Sequence, residues 1–218
     1  MLCSCCAANV NNLDSTFSDK EARRSARKYL QKGLEKRAHK LIAYLLAHAG
    51  EPLTVLDIGG GAGAVHHELL RRGVASTAVG VDAASAYLQA ARANARKLEL
   101  AGRTEYHHAD FALQADEFDA ADVVVMDRVI CCYPHLQQLL EAAATRANKF
   151  LALSFPREEW WVRLGWKLAD TALTLFRSQY HPYLHAHAAI HTVAAQAGLQ
   201  PVHYDRHTIW QIAVFERM

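Results

Sequence analysis

Three features predict an α/β fold built on a doubly wound, mostly parallel seven-stranded sheet with a C-terminal antiparallel hairpin. Strand and helix signals alternate from Thr54 to Pro156. The first of those strands runs through a glycine-rich turn directly into its helix. The chain ends in two strands with no helix between them, which makes them antiparallel neighbours at a sheet edge.

The elements follow in order. Residues 1–17 read as a flexible, Asn-rich arm that carries Cys3, Cys5 and Cys6. Ser18 with Glu21 three residues later has the form of a capping box and opens a basic helix that Gly33 interrupts. A second helix places Leu34, Ala38, Leu41, Ile42, Leu45 and Leu46 at helical spacing, so it packs against something. Together residues 18–50 are expected to form a helical lid, and residues 51–218 the main domain.

In that domain "TVLDIG" is a strand and "AVHHELLRRG" a helix stopped by Gly73. "TAVGVD" is the next strand, followed by "ASAYLQAARANARKLEL", a long helix expected to run to near Gly102. "TEYHHAD", "ADVVVMD" and "KFLALSFP" supply three more strands, with the helix "HLQQLLEAAATRA" before the last. Helical patterns return around "EEWWVRLGWKLADTALTLF" and "AHAAIHTVAAQAG", and "PVHYDRHTIWQIAVFER" closes the chain as a hairpin. Continuous β-branched runs such as "DVVVM" suit strands covered on both faces.

Composition narrows the function classes. With 218 residues, 51% of them hydrophobic, the chain can bury one sizeable core. A net charge of +2 argues against nucleic acid as a partner, and no apolar run reaches the length of a membrane span. Five cysteines, an odd number, fit reduced thiols in a cytoplasmic protein. Oligomeric state has no signature.

The loop "VLDIGGGAGAV" carries the chemistry. Gly59, Gly61 and Gly63 permit a sharp turn and close approach to a ligand, while the following helix offers free N–H groups. Asp82 ends the next strand, where a carboxylate can take both hydroxyls of a ribose. Gly59, Gly61 and Ala64 also satisfy a dinucleotide fingerprint, so the glycines alone leave NAD open. Asp57 argues against it, since a carboxylate there disfavours a pyrophosphate and suits a cation. The two helices before the first strand and the closing hairpin argue the same way.

On these residues the chain resembles the class I S-adenosylmethionine-dependent methyltransferases. Their acid-x-Gly-x-Gly-x-Gly motif corresponds to Asp57, Gly59, Gly61 and Gly63, and their ribose-binding acid to Asp82. The resemblance implies S-adenosylmethionine as cofactor, with Asp110 on the adenine amino group and Phe111 on the ring, although Asp110 also suits a turn. It places Asp127 and the segment after it beside the transferred methyl group, since ligands in such sheets lie beyond the strands' carboxyl ends. Within the superfamily, "DRVICCYP" and the glycine loop are most similar to the magnesium-protoporphyrin O-methyltransferases. Those enzymes carry a single His before Tyr-Pro, where this chain has Cys131-Cys132.

The implied activity is methyl transfer to a small-molecule acceptor. Arg128 can hold a substrate carboxylate in a bidentate pair, or serve as an ion-pair partner of Asp127 or Glu141. Cys132 and Tyr133 are candidates to line the pocket, Cys132 to take a soft substrate, and His135 to act as a base. Methylation of a thiol, sulfide or metalloid is the close alternative. An NAD-dependent reductase and a catalytically silent S-adenosylmethionine-binding module are the rivals from other classes. No metal site is expected: His187 and His191 stand four apart on a helix, as do His181 and His185 if the helix extends that far, and neither pair has a Glu between. Arg23, Arg24, Arg27 and Lys28 form a basic helical stripe, and Trp160, Trp161 and Trp166 are read as core or lid aromatics.

Overall fold

The structure is a computed structural model and describes residues 18–176 and 180–218. The N-terminal arm with Cys3, Cys5 and Cys6 lies outside the described residues. Helix α1 (Asp19–Lys32) opens as anticipated: Ser18 Oγ accepts the Glu21 N–H and the Glu21 carboxylate accepts the Ser18 N–H. Gly33 ends it at a φ of 70°. Helix α2 (Lys36–His48) buries Ala38, Leu41, Ile42 and Leu45 along one stripe.

Next come β1 (Leu53–Ile58), α3 (Ala64–Arg71), β2 (Ala75–Asp82), α4 (Ser85–Lys97), β3 (Thr104–His108) and the short α5 (Phe111–Gln114). After them follow β4 (Ala121–Asp127), α6 (Leu136–Arg146), β5 (Ala147–Pro156), α7 (Trp160–Leu175), α8 (His187–Gln196), β6 (Leu199–His207) and β7 (Trp210–Arg217).

The strands form one seven-stranded sheet in the order β3-β2-β1-β4-β5-β7-β6, in which β7 runs opposite to the other six. Valines alternate faces along β4. Val124 and Met126 join a core with α6 and α8. Val123 and Val125 join another with α2, α3 and α4. Both faces are therefore covered, which is why this strand reads as one apolar run.

Chain connections leave β1 toward β2 and β4 toward β5, in opposite directions, so a crevice opens at the carboxyl ends of the adjacent β1 and β4. In register, Asp57 faces Gly80 of β2 and Val125 of β4, so Asp57, Asp82 and Asp127 come together at that edge.

One expectation needs correction. Helix α4 stops at Lys97, short of Gly102. Leu100 is buried and its N–H reaches back to Ala95 O at 2.8 Å, which forces Glu99 into a left-handed φ of 61° and ends the helix. No helix includes His181 and His185: the described residues 180–186 form an irregular segment. That segment bonds to the turn after β4, with Tyr183 N–H donating to Cys131 O at 2.8 Å and His185 Nε2 2.9 Å from Tyr133 O.

Candidate active site

A cavity of about 620 Å³ opens at the crevice between β1 and β4. The glycine loop forms part of its wall, and each glycine is needed for a different reason. At Gly59, with a φ of 63°, a Cβ would lie 2.6 Å from Val129. At Gly60 it would lie 2.8 Å from the Asp57 carboxylate. Gly61 lines the cavity at a φ of 55°, and its N–H donates to Asp82 Oδ2 at 2.9 Å. Gly63 turns away from the cavity lining: it caps α3 in the left-handed region, where a Cβ would overlap the His67 ring. Its role is to pack the loop on the helix.

Asp82 also accepts the Ala84 N–H at 2.8 Å through Oδ1. Burial pushes its carboxyl up to about 6, against these two backbone donors. Asp57 lies beneath the loop with Oδ2 2.7 Å from His66 Nδ1. Burial and the Asp127 charge raise the Asp57 carboxyl well above its ordinary value, and burial lowers His66 to about 3. Burial thus drives both partners of this contact toward their uncharged forms. Asp57 Oδ1 is buried with no hydrogen-bond partner among the described residues.

Asp110 caps α5 through Oδ1 and accepts the Tyr133 hydroxyl at Oδ2, 3.2 Å away. The turn role and a position in the cavity wall therefore coexist. Phe111 lines the same wall, with its ring stacked on Phe118.

Asp127 is engaged by a residue the sequence reading did not single out. Arg37 of α2 donates to its Oδ1 at 2.5 Å, with side chains only 4% and 13% exposed. Ser154 Oγ of β5 donates to the same oxygen, and Arg37 also stacks over the Trp210 ring. The Arg128 ion pair with Asp127 or Glu141 does not form: Arg37 has taken Asp127, and Glu141 bonds to Gln137. Arg128 has no ion pair among the described residues and stays exposed at the cavity rim in a left-handed backbone, φ 63°.

The Arg128 carbonyl accepts both thiols, Cys131 Sγ and Cys132 Sγ, each at 3.4 Å. Cys132 lies 3.3 Å from the Tyr180 hydroxyl. The hydrogen bond with Cys131 leads in lowering the Cys132 thiol to about 7, opposed by burial and aided by Tyr180 and the Arg128 charge. The same bond and burial push Cys131 well up. Cys132 and Tyr133 line the cavity, whereas His135 does not: it stands exposed at the head of α6. The helices at residues 18–50 contribute Lys28, Tyr29, Leu34 and Arg37, and α7 contributes Trp166, Ala169 and Leu173. Of the basic stripe only Lys28 reaches the lining, where it pairs with Glu35.

Replacing Arg37 by Ala leaves a carboxylate with little water access and half its partners. A stability loss of about 3 kcal/mol in urea unfolding is expected. Asp127→Asn should lose less in the same measurement, because Ser154 and a neutral amide can still pair.

Residues 55–150 match the family model described as "Methyltransferase domain". No curated protein matches the chain in sequence. Among solved structures, magnesium protoporphyrin IX methyltransferase from Synechocystis PCC 6803 with bound SAH aligns with a TM-score of 0.74 at 20% identity. That alignment covers 96% of this chain and 100% of that one. An O-methyltransferase family 2 protein from Planctomyces limnophilus DSM 3776 in complex with apigenin gives 0.68 at 17%, over 92% of this chain and 62% of that one. Human N-acetylserotonin methyltransferase in complex with SAM gives 0.67 at 15%, over 94% and 59%. These likenesses carry the fold; the domain match and the loop geometry carry the cofactor class. Residues 55–150 carry a methyltransferase domain, on the Rossmann-like fold that the S-adenosylmethionine-dependent methyltransferases share.

Proposed function

We propose that the protein methylates a small anionic acceptor held by Arg128 at the mouth of the cavity. The observation that carries this reading is the cavity's composition: Asp57, Asp82 and the glycine loop at one end, Arg128 at the rim, and Trp166, Leu173, Pro182 and Trp210 in the remaining lining. About 620 Å³ for cofactor and acceptor together suits a small molecule. Two structural relatives, a magnesium protoporphyrin IX methyltransferase and a protein in complex with apigenin, support a small-molecule acceptor.

The chain's residues fit the cofactor. The unpartnered Asp57 Oδ1 is an acceptor for a cationic or N–H group, and Asp82 retains lone pairs for ribose hydroxyls. Phe111 offers an apolar wall for the base beside Asp110. S-adenosylmethionine supplies a methyl group on a sulfonium. Arg128 orients an anionic group, while the aromatic lining excludes water, so the protein's contribution is alignment and desolvation. His135, set outside the lining, is not assigned the role of base.

A second reading rests on Cys132. Its lowered thiol faces the cavity beside Tyr180 and Arg128, which supports a soft, thiol-seeking acceptor as the alternative.

Labelled methyl groups from S-adenosylmethionine, offered with a metabolite extract, should appear in an anionic small molecule. Label confined to protein or RNA would overturn the proposal. Arg128→Gln should raise the acceptor KM about ten- to a hundredfold with cofactor affinity unchanged, the loss of one charge-assisted pair. Cys132→Ser should leave turnover nearly intact; loss of turnover with normal cofactor affinity would favour the soft acceptor instead.

Asp82→Ala should weaken cofactor binding by about 2–3 kcal/mol in calorimetry. The wild-type affinity should also fall about tenfold for each pH unit below about 6, as the carboxylate that accepts the hydroxyls is protonated. Fold stability responds with the opposite sign. Asp82's folded value exceeds its unfolded one, so its contribution is full below pH about 4 and lost as pH rises through about 6. An unchanged pH profile in Asp82→Asn would remove Asp82 from the cofactor site.

A further inference from the structure

Helix α7 is apolar on two opposite faces. Val162, Trp166, Ala169 and Leu173 fall within an arc of about 60° on the helical wheel. Val162 is buried, and the other three line the cavity. Trp160, Leu164, Leu168 and Leu175 fall within an arc of about 80° centred nearly opposite. These four are 76%, 51%, 62% and 80% exposed, and Phe176 just past the helix end is 82% exposed. With Trp161, six of the ten exposed large hydrophobic side chains of the described residues sit on this one helix and its cap. Scattered surface leucines need no explanation, but an aligned stripe along about 24 Å of helix does.

Charge identifies what fits the stripe. Arg163, paired with Glu158 at 3.2 Å, and Lys167 flank it along one edge, and Asp170 is the only acidic residue within α7. Across the same cavity, α1 exposes Lys20, Arg23, Arg24, Arg27 and Lys28, with Asp19 and Glu21 only at its first turn. A tryptophan at one end, leucines along the centre and cations at the margin are the features of a helix lying in the headgroup region of a bilayer. The basic helix on the cavity's other wall adds attraction for anionic lipid. A soluble protein partner that matched both features would need an apolar groove beside an acidic band, whereas an anionic bilayer supplies both at once.

We propose that the outer face of α7 seats the protein on an anionic membrane surface, with the cavity lining on the helix's other side. This rests on the geometry of α7 and not on the identity of the methyl acceptor.

Co-sedimentation of the full chain with phosphatidylcholine vesicles, and with vesicles containing one third phosphatidylglycerol, tests it. Binding should be at least about tenfold stronger to the anionic vesicles and should weaken with salt. The double variant Leu164→Glu/Leu168→Glu should lose at least tenfold of that binding while keeping wild-type affinity for S-adenosylmethionine, the check that it folds. Arg24→Glu/Arg27→Glu should lower binding to anionic vesicles only. Absence of wild-type binding to either vesicle would overturn the proposal. So would binding that both pairs of substitutions leave unchanged. A dimer in light scattering that Leu164→Glu/Leu168→Glu dissociates, with no vesicle binding by the wild type, would reassign the face to a second copy of the chain.

Discussion

One carboxylate organises the Arg128 end of the cavity. Asp127 Oδ1 receives Arg37 from α2 and Ser154 from β5, and so ties the N-terminal helices to two sheet strands at their carboxyl ends. Ser154 also takes the Arg128 N–H on its Oγ at 3.0 Å, which helps to hold Arg128 in its left-handed backbone. That conformation turns the Arg128 carbonyl toward the two thiols and leaves its guanidinium at the rim. A buried ion pair contributes little net stability once desolvation is counted. Here its importance is geometric: it joins α2 to the carboxyl ends of β4 and β5 beside Arg128.

The legible parts of the molecule were those governed by short-range patterns. The Ser18–Glu21 box, the β-branched run of β4 and the glycine loop of "DIGGGAG" each fix a local conformation within a few residues. The terminal hairpin was readable because "PVHYDRHTIWQIAVFER" has no room for a crossover helix. Arg37 was not legible. It sits in a basic amphipathic stretch where an arginine normally faces water, and its partner is 90 residues away. His66 and His67 gave no sign that α3 would turn them inward, because burial there depends on Asp57 and Tyr106 meeting them across the sheet. Sequence proximity to the active segment brought His135 into consideration. The Ile130–Cys132 turn and the start of α6 then carry it out of the cavity wall.

The segment that follows α7 shows how an irregular stretch can still be well specified. Tyr183 and His185 bind the backbone of Cys131 and Tyr133, and Tyr180 meets Cys132. The pocket's thiol is therefore set by contacts from both sides of α7, and its environment depends on where that helix rests.

Three acids standing side by side at the ends of β2, β1 and β4 have a further consequence. Burial raises the proton affinity of Asp57 and Asp82, and the neighbouring charges, Asp127 at Asp57 and Asp57 at Asp82, add to it. A positively charged ligand settling among them reverses that preference and drives protons into solution. The heat of cofactor binding then contains a contribution from whatever buffer collects those protons. Two titrations in buffers of unlike ionisation enthalpy differ by the number released times the difference in those enthalpies, which makes the electrostatics of this strand edge directly countable.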